Sequence, residues 1–105
     1  MQTQPLGQTD INVSSLCLGA MFLGTKNGRA SSFRLLDQYM DAGGSFIDTA
    51  NIYAHWVPGF QGGESETLLG DWMRERRNRN RVFIASKVGF QYGSVPKRLQ
   101  ASDIE

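Results

Sequence analysis

One cysteine and one histidine occur among the 105 residues. A lone cysteine, Cys17, excludes an internal disulfide, and its place in the apolar run Leu16-Cys17-Leu18 reads as a small buried hydrophobe rather than a reactive thiol. No metal site is expected. No apolar stretch approaches the roughly 20 residues that a spanning helix needs, and Met1-Gln2-Thr3-Gln4-Pro5 lacks the basic start and apolar centre of a signal peptide. The expectation is a cytoplasmic protein away from membranes. A charge excess is missing too: the formal net charge of +1 offers nucleic acid no electrostatic hold. Nor does G-x-G-x-x-G follow any apparent strand; the pairs Gly43-Gly44 and Gly62-Gly63 do not amount to a dinucleotide-binding half.

What is present is an ordinary globular composition, 40% hydrophobic and 20% charged, arranged in alternating strand and helix patterns. Thr3 to Leu6 and Ile11 to Val13 flank Gly7-Gln8-Thr9-Asp10 and predict a small hairpin. The first core strand, Leu16 to Gly19, runs into Gly19-Ala20-Met21-Phe22-Leu23-Gly24-Thr25-Lys26. That loop falls short of a P-loop: the lysine and hydroxyl come in the wrong order, Asn27-Gly28 interrupts the helix a P-loop must enter, and four apolar residues line it. A first helix is predicted with Ser31 or Ser32 as N-cap and Phe33, Leu36, Tyr39 and Met40 on one side, ended by Gly43-Gly44. A second runs from about Glu64 to Arg77, with Glu64 and Glu66 at its positive end and Leu68, Leu69, Trp72 and Met73 as its buried stripe. Val82 to Ala85 reads as the third strand, and Ser102-Asp103-Ile104-Glu105 as a capping box opening another helix. The order β-α-β-α-β predicts parallel strands. Three of these cannot close a barrel, so residues 1–105 read as a single incomplete domain.

Chemistry is expected where strands end. Phe46-Ile47-Asp48 gives way to small residues and then Tyr53, while Ser86-Lys87 stands at the end of the third strand. If these strands are neighbours, about 4.8 Å apart, Asp48 and Lys87 fall within ion-pair reach and the phenol can fold back over both. A tyrosine titrating near 10 unperturbed needs a nearby cation to act as an acid at neutral pH, and a carboxylate can hold that cation in place. The loop from Thr49 to Gly62 is long for a strand-to-helix connection and rich in aromatics. Trp56 and Phe60 read either as walls of an apolar substrate pocket or as pins holding the loop to the rim, and His55 as a loop residue. Met21 and Phe22 read equally as core packing or as site lining. Arg74, Arg76, Arg77, Arg79 and Arg81 are favourable simply as cations at a helix carboxyl end.

The strand-end Asp48, the Tyr53 after it, and Gly63-Glu64-Ser65-Glu66-Thr67-Leu68-Leu69-Gly70 together resemble the aldo-keto reductase superfamily, as do Ser15 to Gly19 and Ser86 to Gly89. The resemblance implies an α/β fold, the amino-terminal portion of a (β/α)8 TIM barrel opened by a β-hairpin plug and here comprising its first three β/α units. It implies an oxidoreductase that reduces aldehydes or ketones with NADPH, NADH remaining open. Tyr53 would be the general acid, Lys87 its electrostatic partner and Asp48 the holder of Lys87. Gly19, Ala20, Met21 and Asp48 would border the cofactor, and Phe22 and Trp56 the substrate. The family's catalytic histidine, expected at the end of a fourth strand, has no counterpart before Glu105. The implied partner is a small carbonyl compound, and the isolated chain is expected to be inactive and to self-associate or need the rest of a barrel. The same motifs resemble the potassium-channel beta subunits, which leaves a regulatory or interaction protein as the alternative.

Overall fold

The computed structural model describes residues 1–50 and 62–87. Tyr53, His55, Trp56, Phe60 and the expected capping box at 102–105 lie outside the described residues. Strands β1 (Thr3–Pro5) and β2 (Asn12–Ser14) pair antiparallel as the expected hairpin. Its turn is closed by Leu6 N–H donating to the Ile11 carbonyl at 2.8 Å and by the Thr9 hydroxyl donating to the Leu6 carbonyl at 2.6 Å. There follow β3 (Leu18–Gly19), α1 (Arg29–Asp41), β4 (Phe46–Asp48), α2 (Glu64–Arg76), a 3-10 turn (Arg79–Arg81) and β5 (Phe83–Ala85). The sheet order is β3-β4-β5, all parallel, with Gly19 opposite Asp48 and Asp48 opposite Ala85.

Residues paired across a parallel sheet share a face, so the register sorts the strands into two sets. Leu18, Ile47 and Ile84 face the helices. Ile47 is wholly buried with Phe33 and Leu36 of α1 and with Leu68, Leu69 and Trp72 of α2, and Leu18 and Ile84 pack against that cluster. Burying a side chain such as Leu36 or Ile47 is worth about 1.5–3 kcal/mol. The other face carries Cys17, Gly19, Phe46, Asp48, Phe83, Ala85 and Lys87 by the same parity, and Phe46 and Phe83 meet edge-on with centroids 5.7 Å apart.

Two local expectations fail. The N-cap of α1 is Gly28, not Ser31 or Ser32. Both serines lie inside the first turn and turn their hydroxyls back onto carbonyls, Ser31 to Gly28 and the buried Ser32 to Asn27. Cys17 is exposed, not buried. Strand pairing begins only at Leu18, which leaves Leu16 (65% exposed) and Cys17 ahead of the part that the helices cover.

The helix ends follow the sequence more closely. Gly43, at φ 96°, closes α1 with its N–H on the Met40 carbonyl and that of Gly44 on the Tyr39 carbonyl, each at 2.9 Å, a Schellman arrangement. Tyr39 then turns its phenol oxygen into the start of the sheet, against the Phe46 carbonyl (2.7 Å), the Ser14 hydroxyl (2.9 Å) and the Phe46 N–H (3.2 Å). Ser14 and Ser45 exchange N–H to hydroxyl bonds at 3.0 Å, fastening the hairpin beside the amino-terminal end of β4. Behind α2, Asp37 accepts from the indole N–H of the buried Trp72 at 2.9 Å and from the Arg76 guanidinium at 3.0 Å. Within the arginine-rich end of α2 and the turn after it, Arg74 pairs with Asp71, and Arg79 donates to the Val82 carbonyl.

Candidate active site

Asp48 closes β4 and Lys87 stands two residues past β5, so adjacency of the strands brings both side chains to the same sheet end. Lys87 Nζ lies 3.0 Å from Asp48 Oδ1 and donates to the Thr49 carbonyl at 2.8 Å. The pair is half open, with the Lys87 side chain 54% and the Asp48 side chain 39% exposed. Exposed pairs contribute only about 0–1 kcal/mol, so stability alone is a weak reason for this one.

Beneath the pair is a buried hydroxyl relay. Thr49 Oγ1 and Ser65 Oγ are 2.7 Å apart, and Ser65 Oγ donates to the Ala20 carbonyl at 2.7 Å. Ser65 has one proton and gives it to Ala20, so Thr49 is the donor between the two hydroxyls. The Ala20 N–H in turn donates to the Asp48 carbonyl at 2.9 Å. The start of the loop after β3, the end of β4 and the first turn of α2 are therefore locked together. Gly62 and Gly63, at φ 105° and 87°, bring the chain into α2 in left-handed conformations that side chains disfavour, and the Gly62 N–H donates to Glu64 Oε1 at 2.8 Å. The Ser86 hydroxyl donates to Glu66 Oε1 at 2.6 Å, bracing the residue next to Lys87 against the same helix.

Of the predicted cofactor-side residues, Gly19 ends β3 on the Asp48 face, with nothing among the described residues within 4 Å of where a Cβ would stand, and Ala20 is wholly buried. Met21 and Phe22 are half-buried and lie outside the core cluster. The Phe22 ring carries the Lys26 ammonium 4.5 Å above its centroid. Tyr53 and Trp56 lie outside the described residues, so their relation to the pair is not part of this geometry. Cys17 belongs near the site although the sequence reading passed over it. Partial desolvation pushes its thiol up, the Asp48 carboxylate adds to that, and Lys87 offsets part of it. Strand parity was the available signal, since Cys17 alternates with Gly19 on the face of Asp48. Thr49 and Ser65 were also missed, because a hydroxyl in a strand-end or helix-start motif looks the same whether it caps, packs or relays.

Among the described residues no cluster of His, Cys, Asp and Glu could hold a metal ion, and no helix is long and apolar enough to cross a membrane. The model of the Aldo/keto reductase family matches residues 15–105. Norsolorinic acid reductase B of Aspergillus parasiticus is 40% identical over 88% of this chain and 24% of its own length. Aryl-alcohol dehydrogenase [NADP(+)] of Phanerodontia chrysosporium is 39% identical over 86% of this chain and 25% of its own. Among solved structures, the holo form of an aldo-keto reductase from Bacillus halodurans superposes with a TM-score of 0.72 at 28% identity, over 93% of this chain and 29% of that one. The chain thus spans about a quarter of the length of these two curated relatives.

Proposed function

Because this chain belongs to the aldo/keto reductase family, whose members are (β/α)8 barrels, we propose that it supplies the proton-donating half of a carbonyl-reducing site. The half-exposed Asp48–Lys87 pair at the carboxyl ends of adjacent parallel strands carries this reading. Tyr53, five positions after Asp48, is the general acid, giving its phenolic proton to the carbonyl oxygen of an aldehyde or ketone. Lys87 favours the phenolate left behind, and Asp48 and the Thr49 carbonyl hold the ammonium in place.

NADPH is the proposed cofactor, supported by the NADP(+) in the name of the aryl-alcohol dehydrogenase relative. Bound, the nicotinamide supplies the hydride. The residues present suit such a group: Gly19 lies opposite Asp48 on the open sheet face, the Ala20 N–H that follows donates to the Asp48 carbonyl, Met21 comes next along the loop, and the Asp48 carboxylate can accept from a ribose hydroxyl. Phe22 and Trp56 are proposed to line the substrate side, and a cytoplasmic location belongs to the same reading.

The test is turnover of a simple aromatic aldehyde with NADPH and with NADH by a complete barrel carrying this segment. Tyr53→Phe keeps the ring and removes the proton donor, so reduction falls by about 10²- to 10⁴-fold while nucleotide affinity stays nearly unchanged. Near-normal turnover by that variant removes Tyr53 from the mechanism. No turnover by the unaltered barrel leaves the regulatory role of the channel-subunit type.

A further inference from the structure

We propose that Ser65 is a positioning residue for Lys87, acting through the buried hydroxyl of Thr49; the inference rests on the catalytic reading of Lys87 above.

An ammonium on a flexible stem is a poorly oriented point charge, and its placement is only as good as that of its acceptors. One of the two acceptors described for Lys87 Nζ is a side chain, Asp48; the other is the backbone carbonyl of Thr49, 2.8 Å away. That carbonyl is held from two sides. The Thr49 N–H donates to the Ala85 carbonyl at 2.7 Å, which fixes the strand register, and the Thr49 hydroxyl donates to Ser65, which fixes how the residue leaves the strand. Ser65 is 0% and Thr49 1% exposed, so water cannot substitute for either hydroxyl. Ser65 also holds the Ala20 carbonyl, and the Ala20 N–H holds the Asp48 carbonyl, so the same serine reaches the backbone of both of these Lys87 partners. Without its hydroxyl, the Ala20 carbonyl loses this buried donor and the Thr49 hydroxyl its acceptor, and the Thr49 peptide is free to turn away from Lys87. Because the interaction of the cation with a phenolate varies with distance, a displaced ammonium weakens proton donation without touching substrate or nucleotide.

The experiment uses a complete barrel carrying this segment, with Ser65→Ala, Thr49→Val, Thr49→Ser and their combinations. Ser65→Ala and Thr49→Val should each lower kcat by about 10- to 100-fold, the size usual for groups that orient a catalytic partner, with KM and nucleotide Kd within about 3-fold. Their pH-rate profiles should show the basic limb moved to higher pH. Thr49→Ser, which keeps the hydroxyl, should retain near-normal kcat, and the Thr49→Val/Ser65→Ala double variant should be no worse than its poorer parent, since both break one link. An unmoved limb, or a fall in kcat matching the unfolded fraction by circular dichroism, overturns the inference. Lys87→Met separates the two levels: if that variant turns over normally, the catalytic reading of Lys87 is at fault. The ¹⁵Nζ resonance of Lys87 decides the positioning role without turnover. It should be displaced in Thr49→Val and Ser65→Ala but not in Thr49→Ser, and a signal unmoved in all three overturns the proposal.

Discussion

Asp37 shows how single residues tie the helices together and sets an expected pH dependence. The Arg76 hydrogen bonds hold its carboxyl below the ordinary value of 3.8, with the Trp72 indole N–H adding to the effect. A carboxylate with a depressed native pKa contributes stability that is fully present above the unfolded value and lost as pH falls through the native one. Unfolding midpoints measured from neutral pH downward should therefore fall at the acid side, below about pH 4, and Asp37→Asn should be less stable at neutral pH and show a flatter acid limb. An unchanged acid limb in that variant would remove Asp37 from the balance. On the proposed roles of Lys87 and Tyr53, Lys87→Met should lower carbonyl reduction by about 10²- to 10⁴-fold and move the basic limb of the pH-rate profile upward, because the cation proposed to favour the phenolate is gone. A profile with the same limb in variant and parent would contradict the assignment.

At the scale of elements, two glycines that look alike in the sequence behave oppositely. Gly44 sits between α1 and β4, and a Cβ there would overlap the ring of Tyr39. That ring is pinned by hydrogen bonds to Phe46 and Ser14 and cannot swing aside. Gly44→Ala is therefore expected to destabilise by about 1–3 kcal/mol, as overpacking does. Gly70 lies within α2 with nothing among the described residues within 4 Å of where an added methyl would stand, so Gly70→Ala should be stabilising by about 0.5–1 kcal/mol through helix propensity. Urea unfolding of the two variants of the complete barrel checks the contrast, and equal effects would show that Tyr39 yields. The helices were legible as elements because Leu36 and Leu68-Leu69-Trp72 recur at helical spacing and Gly43 can adopt the left-handed cap. Their starts were less so: serine is a favoured N-cap, but Ser32 is drawn inward to the Asn27 carbonyl, leaving Gly28 at the cap.

At the scale of the molecule, the parallel sheet leaves β3 and β5 each with one neighbour among the described residues. The face opposite the helices carries Phe46 and Phe83, with Leu16 65% exposed ahead of β3. A sheet of this kind is stable when both faces are covered and its edges are paired. The 105-residue chain by itself is accordingly expected to self-associate or aggregate and not to reduce carbonyls, the groups that would hold the nicotinamide against a substrate being shared with the rest of a barrel. Size-exclusion chromatography with light scattering is the check. A sharp monomer peak with cooperative unfolding and measurable NADPH binding would show that further strands are not needed.

The sequence by itself determined the element order, the parallel arrangement and the strand-end placement of Asp48 and Lys87, because apolar periodicity, helix stops and the exit from a buried strand are local properties. Tertiary structure decided the rest. It set the register that puts Asp48 opposite both Gly19 and Ala85, the exposure of Cys17, and the direction of the Thr49 to Ser65 to Ala20 relay. A hydroxyl's partner or a cysteine's burial depends on which segments, distant in sequence, arrive beside it, and no spacing along the chain encodes that.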